Sequence, residues 1–226
     1  MTKKIALLFT GRIYQDQKRY DNIMNNLLDI QNKDYEIDIF ISHPKDVNDE
    51  LLQNVIELYK PVLIIRNNEI YDEKRIETYA TTPNINKHNI MSMWLSRYNL
   101  YNAFNEYVQE QKKQYRSDAE YDMIFHLRMD NIFREKFDLC TLQSHIDNNE
   151  LCIPNYYNQY EFGGICDQIV VGNKETIGIW MKMFEKIYDI LELTQFHPET
   201  MLMNYLRKYN TYTLHRFHLN YIWGIL

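Results

Sequence analysis

Hydrophobic and polar positions follow two different periods along the first half of the chain. Short apolar runs, typical of strands buried on both faces, cover residues 4–10, 35–42 and 61–65. Two amphipathic segments separate these runs, and the second covers residues 48–59. The first has its apolar positions at Tyr20, Ile23, Met24, Leu27 and Leu28. This β-α-β-α-β alternation predicts parallel strands joined by right-handed crossovers.

The middle of the chain predicts a long loop, a long helix and a fourth strand. Residues 66–87 show no clear period, and residues 88–111 have helical spacing. The apolar face of that helix carries Met91, Trp94, Leu95, Tyr98, Tyr101, Phe104 and Val108, which we interpret as packing residues. A buried strand is predicted at residues 121–128.

The last third of the chain has shorter and less regular signals. Asn173 is predicted to cap a helix, and Pro198 to begin the final one, because proline suits the first helical position. The other predicted elements are a helix at 139–145, strands at 151–153, 166–171 and 211–214, and a Tyr- and Asn-rich loop at 154–161. We predict a single α/β domain over residues 1–226, with a nucleotide-binding half at 1–135 and a more irregular half at 136–226.

Composition excludes several classes of protein. The 226 residues carry 25 Lys and Arg against 31 Asp and Glu, and a net charge of −6 disfavours nucleic-acid binding. The apolar runs are too short for a transmembrane segment or a signal-peptide core. Three cysteines without C-x-x-C spacing, Cys140, Cys152 and Cys166, disfavour a disulfide scaffold or a thiolate zinc site. We expect reduced thiols and a cytoplasmic location.

Polar residues follow each of the four predicted parallel strands. In open α/β sheets, ligands bind outside the carboxyl ends of the strands. Three of these ends carry or adjoin an arginine, and guanidinium groups suit phosphate oxygens. Solvated strand ends would give the same pattern, so both interpretations stay open. The residues concerned are Thr10, Gly11, Arg12, Ser42, His43, Arg66, Asn67, Arg128, Asp130 and Asn131.

The glycine pattern narrows the ligand. The sequence has six glycines, with neither G-x-G-x-x-G after the first strand nor G-x-x-x-x-G-K-[ST]. Dinucleotide oxidoreductases, P-loop NTPases and glycine-rich methyltransferases are therefore disfavoured. What is left is a nucleotide held by strand-end side chains, with its diphosphate met by arginine, by a divalent cation on Asp130, or by both.

Residues 121–133, Y-D-M-I-F-H-L-R-M-D-N-I-F, form the most informative stretch. It resembles the strand and D-x-D position of GT-A nucleotide-sugar glycosyltransferases. More closely, it is similar to viral and bacterial polysaccharide glycosyltransferases with the pattern Y-D-x-(apolar)₂-x-(apolar)-R-x-D-x-(apolar)-F. Arg128 stands at the first aspartate of D-x-D. Further similarity comes from residues 8–12, the long helix before R-x-D, residues 163–167, and Pro198-Glu199.

The resemblance implies a GT-A-like, mostly parallel sheet flanked by helices, and a sugar transfer. The donor would be a nucleoside-diphosphate sugar and the acceptor a glycan or small molecule. It implies Mn²⁺ or Mg²⁺ on Asp130 with a C-terminal histidine, His218 or His215. The catalytic candidates are Asp167 and Glu199, with His197 behind them. The expected donor-binding residues are Thr10, Gly11, Arg12, Ser42, Arg66, Arg128, Asp130 and Asn131, and the expected acceptor-binding residues are Tyr156, Tyr157, Tyr160 and Gly164.

Alternatives to an enzyme follow from the same residues. Arg128 in place of an aspartate favours a non-catalytic nucleotide- or sugar-binding domain with a degenerate metal site. An unrelated Rossmann enzyme such as a methyltransferase is a third possibility. Asp167 could instead be a turn residue, and Glu199 an acid favoured by the dipole in a first helical turn.

Overall fold

A seven-stranded sheet forms the centre of the molecule in a computed structural model that describes residues 2–28, 35–68, 70–81, 85–115, 120–155, 164–209 and 213–223. The strands are β1 Lys3–Thr10, β2 Tyr35–Pro44, β3 Leu63–Asn67, β4 Met123–Arg128, β5 Asn131–Phe133, β6 Leu151–Pro154, β7 Val170–Gly172, β8 Leu214–Phe217 and β9 Tyr221–Trp223. The order in the sheet is β3-β2-β1-β4-β7-β6-β8, and β5 pairs with β9 in a separate two-stranded sheet. Strands β1 to β4 are parallel, β7 runs antiparallel to β4 and β6, and β8 is parallel to β6.

Helices cover both faces of this sheet. They are α1 Gln17–Leu28, α2 Asp49–Tyr59, α3 Glu73–Glu77, α4 Lys87–Tyr115, α5 Leu139–Asp147, α6 Lys174–Met181, α7 Ile187–Leu191 and α8 Pro198–Tyr209, with a 3-10 helix at Lys182–Lys186. Asn48 and Asn173 cap α2 and α6 through their side chains, as the sequence predicts for Asn173. Helix α8 begins at Pro198, also as predicted.

The described residues form two hydrophobic cores, one on each face of the sheet. Leu8 and Ile124 belong to the core on the α4, α6 and α8 face, whereas Leu7 and Phe125 belong to the core on the α1, α2 and α5 face. Successive strand residues alternate between faces, so a strand covered on both sides must be apolar at every position. This explains the continuous apolar run of β1 and the apolar residues on either side of His126 in β4.

The predicted loop at 66–87 is partly wrong, because it contains helix α3. Asp72 caps this helix, its side chain accepting a hydrogen bond from the backbone N–H of Arg75. A helix of one turn and a half is too short to show a period, and the buried Ile76 is its one strong apolar signal. The N-cap residue Asp72 was the sequence feature that could have indicated this helix.

The predicted strand at 166–171 shrinks to Val170–Gly172. Residues 164–169 are buried without regular strand pairing, so their apolar character reflects burial rather than a ladder. The sequence predicts one helix after Asn173, with apolar positions from Ile177 to Leu191. The structure interrupts it with the 3-10 helix Lys182–Lys186, although these apolar positions remain largely buried. The closing strand predicted at 211–214 lies at Leu214–Phe217.

Candidate functional site

The carboxyl ends of β1 and β4 lie side by side, with Thr10 in register with Arg128. Arg128 donates two hydrogen bonds to Asp130, from Nε to Oδ1 at 2.8 Å and from Nη2 to Oδ2 at 2.6 Å. Its backbone N–H donates to Oδ1 of Asn131 at 2.9 Å, which fixes the turn after the strand. The side chain of Arg128 is 31% exposed, so the edge of this ion pair faces solvent.

A second arginine lies completely buried beside this edge. Arg97, in the middle of α4, donates from Nη2 to Oδ2 of Asp167 at 3.1 Å. The indole rings of Trp94 and Trp180 lie 4.2 and 4.7 Å from its guanidinium carbon, in cation–π contact. Among the described residues, Nε and Nη1 of Arg97 have no hydrogen-bond partner. Burial lowers the pKa of Arg97 to about 10, so the group stays charged at neutral pH.

Glu199 approaches Asp167 from the first turn of α8. Burial, followed by the charge of Asp167, raises the pKa of Glu199 to about 7. His197 Nδ1 lies 3.4 Å from Oε2 of Glu199, and burial lowers the pKa of His197. The backbone N–H of Ile165 donates to the carbonyl of Glu199 at 3.2 Å. A carboxyl group near half ionisation at neutral pH can accept or donate a proton.

Gly164 allows this close approach. A Cβ at this position would lie 2.6 Å from Cβ and 2.8 Å from the backbone carbonyl carbon of Glu199. The loop before β7 can therefore pass directly against the start of α8. Gly164, Asp167 and Glu199, three residues predicted for the site, thus lie together.

His126 is a buried histidine in β4, two residues before Arg128 and on the same face of the strand. Its Nε2 lies 2.9 Å from Oγ1 of Thr10, and its ring centroid is 4.8 Å from that of Trp180. Burial, then the positive charges of Arg97 and Arg128, lowers its pKa. The imidazole is therefore neutral at physiological pH.

Sequence reasoning missed Arg97 and His126. Arg97 falls three residues after Trp94 and four before Tyr101, within the apolar stripe of α4, and it is the charged residue in that stripe. His126 likewise interrupts an apolar strand. A polar or charged residue at a buried position was the available signal, since such groups are paired or functional.

The other residues predicted to bind the donor do not all lie on the same face of the sheet. Ser42 hydrogen-bonds the neighbour of Arg97, Ser96, with 2.8 Å between their hydroxyls. Gly11 has a φ of +97°, and the turn it makes leads to the exposed Arg12. Arg66 is exposed on the opposite face of β3, because Ile64, two residues earlier, packs into the α1 and α2 core. Arg66 is therefore not brought to this group.

Two of the expected metal ligands, Asp130 and His218, have other partners. Both oxygens of Asp130 accept from Arg128, and the exposed His218 has its Nε2 3.5 Å from Oε1 of Glu135. Within the described ranges, Asp130 does not belong to any group of three His, Cys, Asp or Glu side chains that could hold an ion. One carboxylate neutralised by a guanidinium does not fit a protein-held Mn²⁺ or Mg²⁺. Tyr156, Tyr157 and Tyr160 lie outside the described residues.

Comparisons with known proteins find similarity in structure. No family model and no curated protein matches the sequence. The apo form of mouse xyloside xylosyltransferase 1 superposes with a TM-score of 0.50 at 9% identity, covering 95% of this chain and 84% of that one. The apo form of the glycosyltransferase GlyE of Streptococcus pneumoniae TIGR4 gives 0.47 at 17% identity, covering 94% of this chain and 45% of that one.

The predicted fold class is confirmed: the chain has an α/β, GT-A-like fold with a mostly parallel, mixed sheet flanked by helices. At 9% identity the likeness to the xylosyltransferase concerns the fold alone. Across the described helices, none has the length and hydrophobicity that a membrane span requires.

Proposed function

We propose that this chain is a glycosyltransferase that moves a sugar from a nucleoside-diphosphate donor to a glycan or small-molecule acceptor. The observation that carries the proposal is the meeting of two arginines, Arg97 and Arg128, with Asp167 and Glu199 at the carboxyl edge of a GT-A-like sheet. That edge is where open α/β sheets bind ligands. A net-acidic chain that keeps two charged guanidiniums there is suited to an anionic ligand.

In this proposal Arg128 meets the diphosphate. It is partly exposed, and its Nη1 is free of the two hydrogen bonds to Asp130, which use Nε and Nη2. The diphosphate leaves slowly unless the negative charge that develops on it is stabilised. A cation positioned to stabilise that charge commonly contributes a hundredfold or more in rate. Thr10, Gly11, Arg12, Ser42 and Asn131 line the same edge and complete the proposed donor site, which belongs to residues 1–135.

We assign to Asp130 the role of orienting Arg128, through the two parallel hydrogen bonds that the guanidinium donates to its carboxylate. The side chains around Asp130 do not fit a protein-held cation, so no step here is routed through Mn²⁺ or Mg²⁺. Arg128 instead supplies the positive charge that a D-x-D cation would bring, which is the expected consequence of the R-x-D sequence.

Asp167 and Glu199 carry the proton chemistry in this proposal. The bond between the sugar anomeric carbon and the diphosphate oxygen breaks, a bond to the acceptor oxygen forms, and the acceptor hydroxyl proton passes to a carboxylate. Glu199, with its pKa near 7, is the better proton acceptor at neutral pH, whereas Asp167 is held by Arg97. Gly164 would border the acceptor, in the half formed by residues 136–226.

The second candidate function is a nucleotide- or sugar-binding domain without catalytic activity. The ion pair that Arg128 closes on Asp130 favours it, because both carboxylate oxygens are already satisfied. Heat of binding for a nucleotide sugar without release of nucleoside diphosphate would support this candidate. A rise in melting temperature with S-adenosylmethionine, and none with nucleotides, would instead support a methyltransferase.

Donor hydrolysis tests the proposal. The chain is incubated with a panel of nucleoside-diphosphate sugars, each with and without Mn²⁺, and free nucleoside diphosphate is measured. We expect slow release from at least one donor, and a fall of about a hundredfold in Arg128→Ala. Arg66→Ala is the matched control, because Arg66 is an exposed strand-end arginine on the other face. Equal losses in both variants, or no release from any donor, would contradict the proposal.

A further inference from the structure

Two histidines and a glutamate form a compact group on the other face of the sheet. Nδ1 of His145 lies 2.6 Å from Oε2 of Glu150, and Nδ1 of His215 lies 4.0 Å from the same oxygen. The two imidazole rings stack with centroids 3.4 Å apart and planes inclined by 18°. One ligand atom from each side chain lies within 4.8 Å of the other two. We propose that this group binds a divalent transition-metal ion of the zinc type.

Backbone geometry brings the first two ligands together. Helix α5 ends just after His145, and Asn149 adopts a left-handed conformation with φ of 58°. The N–H of Glu150 then donates back to the carbonyl of His145 at 3.0 Å. This turn reverses the chain, so Glu150 lies directly beside the ring of His145.

Strand pairing supplies the third ligand from a distant part of the sequence. In the parallel pair of β6 and β8, Cys152 is in register with His215. The N–H of Leu151 donates to the carbonyl of Thr213 at 3.0 Å, which continues the pairing next to Glu150. The position of His215 is therefore fixed by sheet hydrogen bonds rather than by a free loop.

The donor set selects the class of ion. Two imidazole nitrogens with one carboxylate oxygen suit Zn²⁺, Co²⁺, Ni²⁺ or Cu²⁺, whereas Mg²⁺ and Ca²⁺ prefer oxygen ligands alone. The three side chains are 23 to 27% exposed, which leaves a path for an ion and a place for one bound water. A tetrahedral zinc ion bound by three protein groups keeps such a position.

This group is separate from the proposed sugar-transfer site. Cys152, in register with His215, belongs to the core on the α5 face, whereas His126 contacts Trp180 on the α4 face. Strand β8 is also three strands from β4, roughly 14 Å across the sheet. The ion would join the end of α5 to the edge strand β8, so its role is structural and it is not a partner of the diphosphate.

Metal titration tests the site on protein without a polyhistidine tag, after treatment with EDTA and dialysis. We expect calorimetry to give one equivalent of Zn²⁺, with melting temperature rising by about 5 to 10 °C at a hundredfold excess over Kd. Co²⁺ should give the intense visible absorption of a tetrahedral complex. Mg²⁺ should give neither signal.

Variants assign the ligands. His145→Gln, Glu150→Gln and His215→Gln should each weaken Zn²⁺ binding at least tenfold, with melting temperatures in EDTA as a check on folding. The control His88→Gln removes a histidine that also lies beside a glutamate, Glu77, and should bind normally. Should one ligand variant fail to fold, the other two decide. Zn²⁺ affinity unchanged in the folded ligand variants, or lost in His218→Gln, would overturn the proposal.

Discussion

The buried ion pair of Arg97 and Asp167 makes the sharpest prediction about stability. Replacing Asp167 with alanine leaves the fully buried guanidinium of Arg97 without its carboxylate, between two indole rings. Removing one partner of a buried pair lowers the free energy of unfolding by about 3–5 kcal/mol. For a chain of this size, that corresponds to a fall in melting temperature of about 6 to 20 °C. Asp167→Asn keeps an oxygen that accepts a hydrogen bond, so its loss should be smaller.

Urea denaturation with a double variant separates charge from packing. Arg97→Met with Asp167→Leu removes both charges and keeps apolar volume between Trp94 and Trp180. Such replacements are often neutral or stabilising, so the double variant should recover most of the stability lost in Asp167→Ala. It should nevertheless release no nucleoside diphosphate, because the proposed site has lost both groups.

Two results would refute this reasoning. A loss below about 1 kcal/mol in Asp167→Ala would mean that Arg97 reaches solvent or another carboxylate. A double variant as unstable as the single one would mean that packing, rather than an uncompensated charge, causes the loss. Either result would show that the pair is not desolvated in the way the geometry indicates.

Three further predictions concern residues around this pair. Because the pKa of Glu199 rises from 4.5 to about 7 on folding, the unfolded chain loses this proton first, and the free energy of unfolding should fall by up to about 3 kcal/mol between pH 4.5 and 7. In Glu199→Gln this part of the pH dependence should vanish, as measured by urea denaturation across that range. Gly164→Ala should displace the backbone at Glu199, lower the melting temperature and change that pH dependence. Gly11→Ala should lower the melting temperature through its positive φ and leave the pH dependence unchanged. Arg128→Lys should weaken donor affinity measured by calorimetry at least tenfold, since lysine cannot form the two parallel bonds to Asp130.

Each of these has a contradicting outcome. Parallel pH curves for Glu199→Gln and the unsubstituted chain would show that this carboxyl does not titrate near neutrality. A pH dependence altered equally by Gly164→Ala and Gly11→Ala would remove the specific contact with Glu199. Unchanged donor affinity in Arg128→Lys would show that the paired hydrogen bonds between the guanidinium and Asp130 are not needed to bind the donor.

Local periodicity was enough to predict strands β1 to β4 and helices α1, α2 and α4. The central residues of β1, β2 and β4 are mostly apolar because helices cover both faces of these strands. Asn173 and Pro198 were correctly placed at helix starts, because caps depend on neighbouring residues alone. The sequence predicts an element correctly where interactions between residues close in the chain determine that element.

Elements decided by tertiary contacts were harder to predict. Val170–Gly172 forms the antiparallel strand β7, yet nothing local distinguishes it from a parallel strand. Residues 164–169 are buried without strand pairing, with Ile165 in one core and Cys166 and Ile169 in the other, which an apolar pattern cannot reveal. Strand β5 is three residues long and pairs with β9, about ninety positions away. Their structure depends on partners that only the assembled sheet provides.

The candidate site shows the same division. Arg128 and Asp130 could be chosen from the sequence because Arg128 ends a strand and Asp130 follows it. Arg97 could not, since its partner Asp167 is 70 residues away and its helical position predicted packing. Arg97 departs from the local rule that buried stripes are apolar, and such departures concentrate at functional sites. A buried arginine with two unpartnered nitrogens among the described residues, beside a glutamate with a pKa near 7, destabilises a core that apolar side chains could fill. We propose that its charge acts on a ligand of the site, and for this reason the Arg97 and Asp167 double variant is expected to be stable and inactive.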